Sequence, residues 1–332
     1  MTRGILPTTG YWAPSSDLEH TIDLPVLGIA TRFTTNSHDV HSLVTESFGA
    51  WGRLTEEASP RSLPFAHVRV RVREGRETAS GRSPIHHSFP DEMRMIARSV
   101  GSVGISDPHR AEATAEVTSE LVADRDHFRD EMLQAITLAL LSSYDRHFLH
   151  AAAVARGNRA VLLAAPSGTG KSTLAYLAQR SGLDVMSEDR VWIQRSPALR
   201  VWGWPWRLHL RPEAASHFPE LEGAATHEHG ANKPRHVVDV ITSGISAPRF
   251  YADDVTVCLL TRGQDGPLLE RVGAEVIVDA LSRDIAPGFD RHSARHLPSV
   301  RAIAGAGGWR LRLSQDPHAA LPFLEQMLGA RG

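Results

Sequence analysis

Apolar residues recur along this chain at two spacings, and the switch between them marks its elements. Residues 29–35 read as a strand, and over residues 68–73 apolar and polar positions alternate, the period of a half-exposed strand. In the second run Arg69, Arg71 and Arg73 form the polar face, either a solvated row or a surface for an acidic peptide. Between the two, Ser37 reads as the N-cap of a helix carrying Val40, Leu43, Val44 and Phe48. Residues 74–90, rich in Gly, Ser, Pro and charge, predict a loop or mobile connector. The longest helical pattern covers 124–148, with Phe128, Met132, Leu133, Ile136, Leu140 and Leu141 three and four apart.

That pattern leads into a small-residue strand over 149–154, then Gly157-Asn158 as a two-residue hairpin turn, then an apolar strand. The stretch VLLAAPSGTGKSTLAYL at 161–177 follows as strand, small-residue turn and amphipathic helix. Gly182 predicts the helix stop, and a short strand at Val185-Met186 ends in Ser187-Glu188-Asp189. Further strands are expected at 191–194, 207–210, 237–240, 255–260 and 309–313. Helices are expected from about Ala274 and over 317–328, the latter started by Pro317 after Asp316. A hairpin immediately before the turn at 164–170 implies a mixed sheet.

The turn carries the chemistry. Ser167, Gly168, Thr169, Gly170, Lys171, Ser172 and Thr173 have the layout of a phosphate-binding loop. Side chains at Gly168 and Gly170 would keep the backbone N–H groups from closing on phosphate oxygens, and the helix start adds a partial positive charge. Lys171 is placed to reach the β- and γ-phosphates of ATP, and the Ser172 hydroxyl to hold Mg²⁺. The usual pattern opens with Gly six residues before the lysine; here that residue is Ala165, acceptable if its φ stays negative. Phosphoryl transfer also needs carboxylates near the γ-phosphate, and Glu188 and Asp189 are the first after the loop: Asp189 for Mg²⁺, Glu188 for a hydroxyl proton. Two acids after a strand are otherwise solvated turn residues.

With 332 residues, two domains are expected: an α+β domain over 1–120 and a P-loop catalytic domain over 121–332, α/β overall with a mixed sheet. A net charge of -2 and a hydrophobic fraction of 42% point to no nucleic-acid or membrane partner. One cysteine, Cys258, in an apolar run excludes an internal disulfide and fits a reducing compartment. No signal peptide or run of 18 apolar residues is seen, so a cytoplasmic protein is expected. His86-His87 and His227-Glu228-His229 invite a metal reading, but no spacing supplies a third ligand.

Three motifs together, L-H-A-A-A-V at 149–154, A-P-S-G-T-G-K-S-T at 165–173 and G-L-D-V-M-S-E-D-R-V-W-I at 182–193, resemble the catalytic domain of HPr kinase/phosphorylase. The resemblance is closer still to HPr-kinase-related proteins found with peptide natural-product gene sets, including lasso-peptide kinases. It implies that His150, Glu188 and Asp189 surround the γ-phosphate, the first acid activating a substrate serine and the second holding metal. The family's first acid is usually aspartate; the extra methylene of Glu188 moves its carboxylate by about 1.5 Å. More weakly, the likeness covers Trp204-Pro205-Trp206-Arg207 and sets Lys233 and Arg235 as a basic pair clamping phosphate or acceptor. The phosphorylase signature is not recognisable, so no dephosphorylation by phosphate is expected. Members of the family assemble, yet no oligomer interface is readable in the chain.

The expected activity is therefore an ATP- and Mg²⁺-dependent kinase acting on a hydroxyl, that of a serine in a peptide or small protein. Three alternatives stay open: a P-loop ATPase driving a partner protein, a nucleotide-sensing module, and a kinase of a small-molecule hydroxyl. The acceptor and the nucleotide base are not encoded in any readable pattern.

Overall fold

The computed structural model describes residues 17–54, 65–77, 82–91, 93–229, 233–241, 248–263, 265–283 and 293–329. Contacts divide the chain into two compact units, 1–144 and 145–332. The boundary expected near residue 120 falls inside the first unit, within the helical stretch that begins at Ser119. Among the described residues no helix is long and apolar enough to cross a membrane.

In the first unit β1 (His20–Val26), β2 (Ile29–Thr35), β3 (Ala66–Arg73), β4 (His86–Ser88), β5 (Met95–Arg98), β6 (Val103–Asp107) and β7 (Glu112–Thr118) form one mixed sheet. Its order is β1-β2-β3-β7-β6-β5-β4, with β3 parallel to β2 and β7. Helix α1 (His38–Phe48) starts where expected, the Ser37 hydroxyl accepting the N–H of Val40 at 3.4 Å. The alternation in β3 buries Val68 and Val70. Its arginine row is met by carboxylates of its own unit: Arg69 by Glu112, Arg71 by Asp17 at 2.7 Å, and Arg73 by Glu116 at 3.3 Å. A solvated, self-paired face accounts for that row.

The segment read as a connector over 74–90 contains β4 and a buried carboxylate, Glu77, which accepts hydrogen bonds from the hydroxyls of Ser99, Ser102 and Thr118 and the N–H of Gly101. Residues 78–81 of that expectation lie outside the described residues. The single helix expected over 124–148 is also corrected. A short helix α2 (Ser119–Ala123) precedes it, and the stretch itself consists of α3 (Arg125–Phe128), a π-helical segment (Arg129–Gln134) and α4 (Ala135–Ser142). All six of its predicted apolar residues are buried, so the periodicity found the right face. What it missed is that the backbone changes register along the way and stops at Ser142, because residues 147–149 pair in a sheet instead.

The second unit is built on a six-stranded mixed sheet ordered β11-β9-β10-β18-β20-β19. Its elements in chain order are β8 (His147–Leu149), β9 (Ala152–Arg156), β10 (Arg159–Ala164), α5 (Lys171–Arg180), β11 (Asp184–Ser187), β12 (Val191–Gln194), β13 (Arg200–Trp202) and β14 (Arg207–Leu210). These continue with β15 (His227–His229), β16 (Lys233–Asp239), β17 (Tyr251–Ala252), β18 (Asp254–Arg262), β19 (Leu268–Val272), α6 (Ala274–Arg283), α7 (Ser293–Ala304), β20 (Gly308–Leu313) and α8 (Leu321–Leu328).

As expected, β9 and β10 form a hairpin around Gly157-Asn158, and β10 runs parallel to β18. Both faces of this sheet are covered, so its central strands read as near-continuous apolar runs. Val154, Val161 and Leu163 pack with Leu174 and Leu177 of α5 on one side; Ala153, Leu162 and Leu259 pack with Ile277 and Ile303 on the other. Cys258 is buried in the first layer, and burial pushes its thiol up to about 12, so it is an inert core group.

The small-residue strand expected over 149–154 is two strands. β8 belongs to a four-stranded sheet, β17-β13-β12-β8, and β9 to the six-stranded one. The chain changes sheets at His150-Ala151. The segment after β11 makes the same change beside it: Ser187 faces Ala153 in one sheet and Val191 faces Leu149 in the other. Both crossing segments thus keep one antiparallel register across the gap, and they carry His150 and Glu188-Asp189.

Candidate functional site

Strand β10 ends at Ala164, and the chain turns through residues 165–170 into α5. Gly168 and Gly170 have φ of 86° and 125°, which a side chain would resist, while Ala165 is not among the residues with positive φ. Both expectations about the turn hold. The Lys171 ammonium folds back along the turn and donates to the carbonyls of Ala165 and, at 3.5 Å, Pro166. At its far end α5 stops on Gly182: Leu183 N–H bonds Ala178 O at 2.9 Å and Gly182 N–H bonds Gln179 O at 3.0 Å.

Across the turn, the buried Ser187 hydroxyl donates to Arg190 O at 2.6 Å and accepts Arg190 N–H at 3.2 Å. That closes the tight turn presenting Glu188 and Asp189. Glu188 is 10% exposed and held by three donors: the Ser172 hydroxyl at 2.7 Å, His209 N–H at 3.0 Å and His209 Nδ1–H at 2.7 Å. With Glu188 as a carboxylate, which only accepts, this contact calls for the ring tautomer that carries its proton on Nδ1. Asp189 is 47% exposed, with Arg190 at 3.6 Å.

These groups line one cavity of about 550 Å³, within the range of small-molecule sites. It gathers His150, Ser167, Gly168, Gly170, Lys171 and Ser172. Thr173, Glu188, Asp189 and Arg235 join them on its wall. Thr169 instead turns its hydroxyl onto Pro166 O at 2.9 Å. Lys233 lies in β16 opposite His229, and its side chain is outside the described residues, as are those of His227, Glu228 and His229. Among the described residues no three His, Cys, Asp or Glu side chains are grouped to hold a metal.

Sequence reasoning missed three residues here. His209 sits in β14, where Leu208 and Leu210 are buried and the residues between them face the other way; that period-2 pattern was the available signal. Arg211 reaches over the turn, its guanidinium 3.1 Å from where a Cβ on Gly168 would stand. Arg262, at the end of β18, donates Nε–H to Thr169 O at 3.0 Å. Their long range from the turn in sequence hid both arginines. The imidazole bonded to Glu188 is that of His209, while His150 lines the cavity from the facing segment.

The close approach of Leu313 Cδ1, 3.3 Å from a Cβ on Gly170, and of Arg211 at Gly168 shows a backbone cradle that side chains would fill. The amides of a glycine turn, a helix N-terminus and Lys171 suit an anion. The Ser172 hydroxyl and Asp189 carboxylate are the hard oxygen donors a Mg²⁺ ion prefers. On donor chemistry the site therefore fits a nucleotide phosphate with its metal.

No protein-family model matches the chain, and no curated protein matches it. Among solved structures, the HPr(Ser) kinase/phosphatase from Coxiella burnetii aligns with 54% of this chain and 93% of its own, at 12% identity and a TM-score of 0.29. At that score the likeness assigns this chain no activity.

Proposed function

We propose that the second unit binds ATP with Mg²⁺ and transfers the γ-phosphoryl group to a hydroxyl, that of a serine in a peptide or small protein. One observation carries this reading: the glycine turn with Lys171 at the start of α5 and the Glu188-Asp189 carboxylates share a single cavity. Phosphoryl transfer asks a protein for positioning and charge compensation, and this set supplies both.

Lys171 and the amides of residues 167–173 hold the phosphate oxygens. Ser172 and Asp189 are the groups that would hold Mg²⁺, which when bound offsets charge on those oxygens. Glu188 accepts the proton of the acceptor hydroxyl as that oxygen bonds to phosphorus; the bond from phosphorus to the bridging oxygen breaks, and ADP leaves with the electron pair. His150, in the facing crossing segment, positions the γ-phosphoryl group or the base. Lys233 and Arg235 clamp phosphate or acceptor, with Arg211 and Arg262 flanking the turn. A cytoplasmic setting, a natural-product precursor peptide as acceptor and assembly into homo-oligomers belong to the same proposal.

The test is incubation with ATP, Mg²⁺ and serine-containing peptides, followed by mass analysis. One added phosphate on a peptide hydroxyl supports the proposal. Free phosphate with every acceptor unmodified replaces it with an ATPase in which Glu188 orients water.

A further inference from the structure

The Glu188 side chain has three torsions to fix before its carboxylate can meet a reacting hydroxyl. What fixes it lies in β14. Leu208 and Leu210 bury in the core under α5, so the strand is anchored from behind and His209 is turned to the cavity. Glu188 Oε2 then receives two hydrogen bonds from this one residue, the backbone N–H at 3.0 Å and ring Nδ1–H at 2.7 Å. The opposite oxygen is left toward the turn, where Ser172 donates to it at 2.7 Å.

We propose that His209 is the positioning residue for Glu188, holding its carboxylate in the orientation from which it takes the acceptor proton; the role rests on the phosphoryl-transfer reading above. The Ser172 hydroxyl and the His209 backbone N–H hold one lone pair on each carboxylate oxygen, which leaves the second lone pair of Oε2 for the ring. The ring bond adds a second donor to Oε2 and tightens that hold, because both of its donors come from a residue locked in a strand. A reacting group displaced by about 1 Å loses on the order of 10²-fold in rate, so the ring bond acts on turnover and not on nucleotide affinity.

The experiment compares wild type with His209→Leu and His209→Asn, whose amide nitrogen falls near the place of Nδ1. His209→Leu should lose about 10- to 100-fold in kcat with KM for ATP unchanged, and His209→Asn should recover most of the loss. A merely structural histidine would move both variants together and lower thermal stability alongside. In parallel, ¹⁵N spectra of the ring in the wild-type protein read the tautomer without any turnover. Nδ1–H is expected, against the Nε2–H form that free imidazole favours. An Nε2–H ring, or a His209→Leu protein with wild-type kcat, overturns the role. A wild-type protein that transfers no phosphoryl group with an Nδ1–H ring overturns the phosphoryl-transfer reading, and the role in transfer with it.

Discussion

The Ser172 hydroxyl donates to Glu188 Oε1 at 2.7 Å, joining the first turn of α5 to the segment after β11. A helix start and a strand end 16 residues apart are thereby locked together on the wall of the cavity, where the proposed reaction brings phosphate and base together. Glu188→Gln keeps the side-chain length and an oxygen for these donors, but removes the basic site. Turnover should fall by about 10² to 10⁴, the usual share of general-base catalysis. ATP binding, measured by calorimetry, should be unchanged, and a Gln variant with full turnover removes Glu188 as the base.

Gly170 tests the turn itself. Its φ of 125° is a conformation that a side chain resists, and a Cβ there would lie 3.3 Å from Leu313 Cδ1. Gly170→Ala should cost about 1–3 kcal/mol of stability and weaken ATP binding together, since backbone strain and the cradle share one residue. Thermal unfolding and calorimetry on the same preparation check both.

Burial, then the neighbouring charge of His147, pushes His296 down to about 4. Its Nε2 is buried without a hydrogen-bond partner among the described residues. In the unfolded chain the ring takes up a proton near its ordinary pKa, while the folded chain refuses it until about pH 4. The unfolded state therefore binds more protons across that window, and stability falls as pH drops from about 6.5 to about 4, by about 3 kcal/mol in all. In His296→Gln, denaturant unfolding should show a flatter slope over that window; a slope equal to wild type contradicts the assignment.

In the first unit Glu77 is 5% exposed. Burial would raise its pKa, but the hydroxyls of Ser102, Ser99 and Thr118 and the N–H of Gly101 outweigh that and hold it below the ordinary glutamate value. Glu77→Ala strands those donors and should destabilise the protein by about 1–3 kcal/mol or more, read as a lower denaturation midpoint. The cavity of the second unit lies elsewhere in the chain, so ATP binding below the transition should not change.

Where hydrophobic period and local turn chemistry decide the structure, the sequence was readable. The hairpin at Gly157-Asn158, the Ser37 cap, the stop at Gly182 and the two positive-φ glycines of the turn all follow from short stretches. The change of sheet at His150-Ala151 was not, because Leu149 and Ala152 are both apolar and buried and only long-range pairing tells one sheet from the other. The π-helical segment was hidden for a similar reason, since burial periodicity survives a local change of register. In the site, the residues contiguous with the turn and the strand end were legible. Arg211, just after β14, and Arg262, at the end of β18, reach the cavity only after folding and nothing local to them announces it, while for His209 the alternation in β14 was the one local signal.

The most direct measurement is transfer of label from γ-labelled ATP, with Mg²⁺ and serine peptides, by wild type and Lys171→Ala side by side. Label on a peptide hydroxyl in the wild type and none in the variant is the predicted result. Equal labelling by the two proteins would contradict it, because the cavity around Lys171 would then not be where the phosphoryl group moves.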